Sequence, residues 1–198
     1  MNTGKIKLSH FSVKEYLLSA HVEEYFRIDE KTSHSKIAQL SIAYLLQFDD
    51  DSSPITRATF DSMPLTQYVA EHWIGHVKSA RGIGPTVLQL ILHLFTSDSA
   101  PLKNWIWVYN IDDIYSIMGR PVFYSALYYS SLAGMEEVTG CLLHKGENAN
   151  VEGGRYGNAL QAASYEGNMA IVKLLLESGA EVNAVGGHYG NEIGRAHV

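Results

Sequence analysis

The chain of 198 residues has a formal net charge of −6, 46% hydrophobic residues and 18% charged residues. This composition is typical of a globular protein and excludes intrinsic disorder as the default state. The 15 basic residues form no dense run, so neither nucleic acid nor an anionic membrane is indicated as a partner. The single cysteine, Cys141, excludes an internal disulfide. Without a signal peptide or a membrane-length apolar run, the sequence predicts a cytoplasmic protein.

The first elements in chain order are a strand and two helices. The alternation from Lys5 to Ser9 predicts a short strand. Ser12 and Glu15 stand three residues apart in the capping-box pattern, which predicts the start of a helix. A second amphipathic helix is predicted from an apolar stripe at Ile37, Leu40, Tyr44 and Phe48.

Three further helices are predicted before the C-terminal part of the chain. Pro64 stands near the first turn of a helix with apolar positions at Val69, Trp73 and Val77. Thr86 is predicted to cap an apolar helix that runs from Val87 to about Thr96. The aromatic segment "PLKNWIWVYNI" fits either a buried helix or a strand, and Pro101 favours the helix because proline is well placed at a helix start.

The C-terminal part of the chain repeats itself at a fixed spacing. The segment GG-x-YGN occurs at Gly153–Asn158 and again at Gly186–Asn191. A register that holds over a whole unit without a gap indicates a structural repeat, here with a period of about 33 residues. The same spacing relates Leu127 to Leu160, Gly134 to Gly167, Leu142 to Leu175, Gly146 to Gly179 and Asn150 to Asn183.

Each repeated unit is predicted to be a pair of helices. Asn158 is expected to be an N-cap, and Gln161 three residues later completes a capping box. Gly179 is expected to end the second helix with a positive φ. Because one such pair cannot bury its apolar side alone, neighbouring units are expected to stack.

Residues 119–191 resemble ankyrin repeats, because "EGNMAIVKLLLESGAEVNA" is similar to the family consensus almost throughout. The usual Thr-Pro-Leu-His start of the family is replaced by Asn158–Gln161. The threonine–histidine hydrogen bond of the family is therefore absent, and the Asn/Gln pair is expected to substitute for it. The resemblance implies two ankyrin repeats and the start of a third.

Much of the chain resembles fungal NACHT-type (STAND) proteins. "GG-x-YGNALQAAS" is similar to a variant of fungal ankyrin arrays. "LSHFSVKEYLLS", within residues 1–20, resembles the end of the winged-helix segment that follows the NTPase module. Residues 21–118, with "IAYLLQF" and "YVAEHWIGH", resemble the connector to the ankyrin array. The implied fold class is all-α: a helical connector followed by an ankyrin helix-turn-helix solenoid, with a short N-terminal strand.

The hairpin tips are the predicted partner-binding surface. Ankyrin arrays usually contact partners through these tips, which the resemblance assigns here to Arg155, Tyr156, His188 and Tyr189. The two tyrosines are expected to act mainly as scaffold, and Arg155 and His188 as exposed contacts. The resemblance implies a protein–protein interaction segment of a NACHT/STAND-like signalling or self/non-self recognition protein. An alternative is a stand-alone ankyrin scaffold. The sequence has no P-loop, so the nucleotide site of such a protein is expected upstream.

A further alternative is a zinc-dependent enzyme that uses His72 and His76. Their i, i+4 spacing can place two zinc ligands on one helix face, but Trp73 stands where metalloproteases carry glutamate. With no third ligand marked, we expect no metal, no cofactor and no catalytic residue. Cys141, beside Leu142, is expected to be a small buried residue.

The tail that closes the chain, "EIGRAHV", has neither a helix period nor an apolar face. A common sequencing adapter begins with the bases AG, followed by the codons ATC, GGA, AGA, GCA, CAC, GTC and TGA, which translate into Ile193–Val198 and a stop. Residues 192–198 are therefore predicted to be a non-native tail, with Glu192 combining one native base and two adapter bases. Arg195 and His197 are expected to have no functional role.

Overall fold

The computed structural model describes residues 11–19, 21–23, 27–48, 63–96, 99–112, 122–184 and 186–187. Within these ranges the chain is all-helical, as predicted. The predicted strand at Lys5–Ser9, the tip residues His188 and Tyr189, and the tail at 192–198 lie outside the described residues. The helices are α1 (Phe11–Leu18), α2 (Glu30–Leu45), α3 (Thr66–Ser79), α4 (Pro85–Leu94), α5 (Ala100–Val108), α6 (Ala126–Leu132), α7 (Glu136–His144), α8 (Ala159–Tyr165) and α9 (Met169–Glu177), with a short 3-10 helix at Leu46–Phe48.

Helix α2 packs against α3, α4 and α5, and it does so on a different face from the one predicted. Leu40 is 71% exposed and Ile37 lies at the surface, whereas Tyr44 and Phe48 are half-buried. The residues that enter the core instead are Ala38, Ser41, Ile42 and Leu45. The predicted buried face was wrong because the prediction considered only large apolar residues. The small side chains of Ala38 and Ser41 suit a helix that must pack closely against several neighbours.

An aromatic cluster joins α3, α4 and α5. The rings of Trp73 and Trp105 meet edge to face at 5.2 Å, and Phe95 lies within 6.3 Å of both. Trp105 Nε1 donates to the Ala70 carbonyl at 2.9 Å. The segment that was ambiguous between helix and strand is therefore the helix α5, which Ser99 caps by accepting from Leu102 N–H.

The start of α4 differs from the prediction by two residues. Thr86 lies inside the helix, and Gly84 is the N-cap in front of Pro85. Proline is well suited to the first helical position because its fixed φ is helical and it has no N–H to leave unsatisfied. Pro85 therefore determines this helix start better than the hydroxyl of Thr86 does.

The four C-terminal helices form two equivalent pairs. Helix α8 begins one repeat period after α6, at Ala159 against Ala126, and α9 begins one repeat period after α7, at Met169 against Glu136. The lengths match as well, since α6 and α8 have 7 residues each and α7 and α9 have 9 residues each. The predicted repeat register is thus present in the backbone, and α8 and α9 pack against α6 and α7 respectively.

Side-chain amides link the two pairs. Asn150 donates to the Gly179 carbonyl at 3.0 Å and accepts from Glu181 N–H at 2.8 Å. Asn158 caps α8 as predicted, accepting from Gln161 N–H at 2.8 Å. The other half of the predicted capping box is wrong, because Gln161 Oε1, which would accept from the N-cap N–H, has no hydrogen-bond partner among the described residues. Gln161 Nε2 donates to the Ala184 carbonyl at 3.0 Å. The Gln161 side chain therefore links α8 to the loop that follows α9.

Two apolar side chains of the second repeat are exposed, although the residues at the equivalent positions of the first repeat are covered. Leu176 is 42% exposed and Val182 is 73% exposed. Their counterparts in the preceding repeat, Leu143 and Ala149, are half-buried and buried respectively. We refer to Leu176 and Val182 as the end face of the described structure.

Replacing Ala163 with leucine is expected to destabilise the protein by roughly 1–3 kcal/mol, because added methylenes overpack a close-packed site. Ala163 is fully buried in α8, against the neighbouring helices. The control Glu177→Gln alters an exposed side chain in a long 3.8 Å pair with Lys173, and it should stay within about 0.5 kcal/mol. Urea unfolding of both variants measures the difference, and equal costs would contradict the repeat packing.

The two buried tryptophans offer a second comparison. Trp73→Phe and Trp105→Phe each shorten a fully buried ring, but only Trp105 loses a hydrogen bond. Trp73 Nε1 is buried without a partner among the described residues, so its removal relieves an unsatisfied donor. We expect Trp105→Phe to cost about 1–3 kcal/mol more than Trp73→Phe in thermal unfolding. Equal destabilisation by the two substitutions would show that the cost depends on the lost ring volume and not on the hydrogen bond.

Candidate functional site

The first complete GG-x-YGN hairpin is a tight turn closed by its own backbone. Gly153 N–H donates to the Gly157 carbonyl at 2.8 Å, and Gly157 N–H donates to the Gly154 carbonyl at 3.2 Å. Gly154 has φ +81°, a left-handed conformation that glycine adopts without steric cost. The equivalent Gly187 has φ +79°, so the second copy of the motif begins with the same backbone.

The ring of Tyr128 fills the space beneath Gly154. A Cβ atom built on Gly154 would overlap Cζ of Tyr128, at a separation that no real pair of atoms can adopt. Glycine is therefore required here for close approach as well as for its φ. The hairpin tip is positioned by direct contact with the first helix of the preceding repeat.

Asp112, at the end of the connector, holds the tip in place. Its Oδ2 accepts from Arg155 N–H at 2.8 Å, and its Oδ1 accepts from the hydroxyl of Tyr128. The Tyr128 hydroxyl is also approached by Tyr156 N–H at 3.4 Å. The carboxyl group is buried, so these donors replace the water that a carboxylate otherwise needs. One connector residue thereby joins the first repeat to the tip.

The tyrosines around Asp112 stay protonated. Burial, followed by the hydrogen bond to Asp112 and its charge, raises the pKa of Tyr128 far above its ordinary value. Burial also raises the pKa of Tyr129, and burial followed by the charge of Asp112 raises the pKa of Tyr124. Their hydroxyls are therefore neutral hydrogen-bonding groups at physiological pH, which suits a structural network.

The two predicted tip residues that the structure describes have different roles. Tyr156 is half-buried, and its ring centroid lies 4.4 Å from that of Tyr165. Burial, followed by the hydrogen bond to Tyr165, raises the pKa of Tyr156 to about 12. Arg155 is also half-buried rather than freely exposed, because its backbone is drawn down onto Asp112. Tyr165, at 66% exposure, presents the most accessible aromatic ring at the tip.

A groove of about 430 Å³ lies beside this tip. Leu102 and Lys103 of α5 form one wall, Phe123 and Tyr124 lie at the approach to α6, and Val151 belongs to the hairpin. Apolar and charged groups therefore line the groove together, as is common at protein-binding surfaces.

Both ring nitrogens of His76 contact groups other than His72. His76 directs Nδ1 to His34 at 2.8 Å and Nε2 to the hydroxyl of Tyr68 at 3.0 Å, while His72 packs its ring on Tyr68. No group of three or more metal-ligating side chains occurs in the described ranges. Cys141 is half-buried rather than buried, because α7 turns Val138 and Leu142 to the core instead. None of the helices in the described part of the chain is long and apolar enough to span a bilayer.

The repeated motif indicates the hairpin tip, but no sequence signal indicates Asp112 or Tyr165, which contact it. Asp112 is 43 residues from Arg155 in sequence, and nothing in "NIDDIYS" distinguishes it from the adjacent Asp113. Tyr165 lies at the end of α8, and the prediction of Tyr156 as scaffold did not identify it as the packing partner.

Comparison with known proteins supports the repeat assignment. The ankyrin repeat family model matches residues 158–187. The chain is 33% identical over 176 residues to "Azaphilone pigments biosynthesis cluster protein L" of Monascus ruber, a match that covers 80% of this chain and 37% of that protein. No solved structure matches the chain. Residues 158–187 therefore form an ankyrin repeat, and this supports a role in protein–protein interaction. The chain is an ankyrin-repeat protein.

Proposed function

We propose that this chain is a protein–protein interaction segment whose partner binds at the hairpin tip formed by Arg155, Tyr156 and Tyr165. The single observation that carries the proposal is the anchoring of the tip by Asp112. A tip that is already held in one conformation loses little conformational entropy on binding, and this favours affinity. The proposed role is non-catalytic and cytoplasmic, and it needs no cofactor.

The chemistry of the tip supports this role. Tyrosine and arginine are enriched among the residues that contribute most to binding energy at protein interfaces. Tyr165 exposes most of its ring, and the groove beside the hairpin adds apolar surface from Phe123 and Val151. In the sequence, His188 and Tyr189 stand one repeat period after Arg155 and Tyr156, and we propose that they extend the same surface.

Site-specific crosslinking tests the surface. A photoreactive phenylalanine analogue placed at residue 155, in protein expressed in a filamentous fungus, should form a covalent adduct with the partner on irradiation. The matched control carries the same group at Lys173, an exposed position on α9. Adducts at residue 173 alone, or equally at both positions, would refute binding at the tip.

We further propose that the segment belongs to a NACHT/STAND-like signalling or recognition protein, in which an ankyrin solenoid follows the connector. The support is the resemblance of residues 1–20 and 21–118 to the segments before such arrays. The genomic locus tests this point: a P-loop encoded in frame upstream supports it, and a start codon with no NTPase module upstream favours a stand-alone ankyrin scaffold.

A second candidate role follows from the relative in Monascus ruber. That protein is named for a pigment biosynthesis cluster, so this chain is a candidate interaction protein encoded within such a cluster. Biosynthetic enzyme genes flanking the locus would favour this role. The zinc-enzyme alternative is tested separately, since stoichiometric zinc that is lost on His76→Ala would overturn the non-catalytic proposal.

A further inference from the structure

Two histidines from different helices meet at the seam between α2 and α3. His34 Nδ1 lies 2.8 Å from His76 Nδ1, and the two ring centroids are 5.0 Å apart. Both residues are half-buried. Helix α3 is a principal packing neighbour of α2 in the connector, so the contact joins two helices that organise this part of the fold.

The geometry limits how many protons the two histidines can bind while their rings remain hydrogen-bonded. Two ring nitrogens at 2.8 Å form a hydrogen bond only when one carries a hydrogen and the other offers its lone pair. The hydroxyl of Tyr68 binds the other nitrogen of His76 at 3.0 Å, and it can accept from or donate to that nitrogen. The neutral pair, and the pair with one positive charge, both satisfy the contact.

A doubly charged pair does not satisfy it. Each imidazolium carries hydrogen on both nitrogens, so two N–H groups would point at each other along the 2.8 Å contact. The two positive charges would also repel, and partial burial reduces the solvent screening between them. The second proton must therefore separate the rings.

The groups whose charge acts on the pKa of His76 are His34 and His72, and no carboxylate of the described residues is among them. On α3, Tyr68 and His72 form the aromatic contacts around His76, and the exposed Glu71 is the acidic residue of this helix. A groove of about 690 Å³ next to His34 is lined by more basic than acidic groups, namely Arg27, Lys31, Lys78 and Arg81 against Asp29 and Glu30. Asp29 already accepts from Thr32 N–H and the Thr32 hydroxyl at the start of α2. The other helices packed on α2 carry His93 on α4 and Lys103 on α5, which add no acidic group.

We propose that His34 and His76 form an acid-sensitive latch between α2 and α3. The latch stays closed while the pair holds at most one extra proton, and it opens when both rings become charged. Opening would loosen the connector at its central seam, and thereby make the stability of the connector respond to mildly acidic pH.

The sign of the pH dependence agrees with this latch. Burial first, and then the charges of His34 and His72, lower the pKa of His76 below its ordinary value of 6.5. A lowered histidine pKa means that the unfolded chain binds more protons than the folded one as the pH falls through the ordinary value. The contribution of His76 is therefore fully present above its unfolded pKa, and it is lost as the pH falls towards its folded pKa.

Proton NMR titration of the imidazole signals provides the direct test. In the wild-type protein His76 should titrate at lower pH than the exposed His21. In His34→Gln its midpoint should move up towards that of His21, because the glutamine side chain carries no charge and its oxygen can accept from a charged His76. A wild-type midpoint equal to that of His21, or no movement in His34→Gln, would overturn the latch.

Thermal unfolding at about pH 7.5 and about pH 5.5, where histidine changes charge, tests the consequence. We expect the loss of melting temperature on acidification to fall by at least half in His76→Gln. The control His21→Gln removes an exposed histidine and should keep the wild-type loss. Equal acid losses in all three proteins would overturn the proposal. Should His76→Gln fail to fold, the NMR midpoints of the wild-type protein and His34→Gln decide alone.

Discussion

Gly154→Ala is expected to destabilise the protein by about 2–5 kcal/mol and to disorder the hairpin tip, since two separate costs add. A left-handed conformation costs a non-glycine residue about 1–2 kcal/mol. The new methyl group would also overlap the ring of Tyr128, and overpacking of this kind adds about 1–3 kcal/mol. Displacing Tyr128 would break its hydrogen bond to Asp112 as well. Urea unfolding gives the cost, and amide exchange at Arg155 reports on the tip itself.

Gly179→Ala is the matched control for this prediction. Gly179 has φ +85°, nearly the same conformation as Gly154, but a Cβ built on it meets no atom within 4 Å among the described residues. It should therefore show only the conformational cost of about 1–2 kcal/mol. If the two variants are equally destabilised, the close approach of Tyr128 to the hairpin does not add to the cost of Gly154→Ala.

Asp112→Ala is the second change for which we expect a large effect. The substitution removes the acceptor for the buried Tyr128 hydroxyl and for the part-buried Arg155 N–H. An unsatisfied buried donor costs about 1–3 kcal/mol, so a total loss of about 3 kcal/mol is expected in urea unfolding. Exchange of the Arg155 and Tyr156 amides should accelerate more than exchange in α3, because the damage is local to the tip.

Asp112→Asn provides the graded comparison. Asparagine has nearly the same shape, and its single side-chain oxygen can still accept from one of the two donors. We expect its cost to fall between that of the wild-type protein and that of Asp112→Ala, with partial protection of the Arg155 amide. A stability of Asp112→Ala within about 0.5 kcal/mol of wild type would show that the tip holds its position without this carboxylate.

The elements that could be predicted from the sequence are those determined by local signals. Asn158 marked its helix start correctly, because an N-cap contacts an N–H only three residues away. Gly179 marked a helix end correctly, because its positive φ is a property of one residue. The repeat register predicted both helix pairs, since the pattern of small and apolar residues repeats with the structure.

What the sequence could not predict are contacts between distant segments. The orientation of α2 was wrong because the choice between Leu40 and Ala38 depends on how closely its neighbours approach. Gln161 was assigned a local partner, but its amide reaches the Ala184 carbonyl, 23 residues away. The contact between His34 and His76 spans 42 residues, and no spacing rule on either helix indicates it.

The end face has a practical consequence for work with the isolated protein. Leu176 and Val182 expose apolar surface at the end of the second helix pair. Terminal repeats of stable arrays usually carry a polar outer face that keeps them soluble. An expression fragment that ends shortly after Val182 should therefore self-associate at high concentration. A soluble reagent for screening would need either a further repeat or a polar capping helix, and Leu176→Lys with Val182→Lys is the smallest version of such a cap.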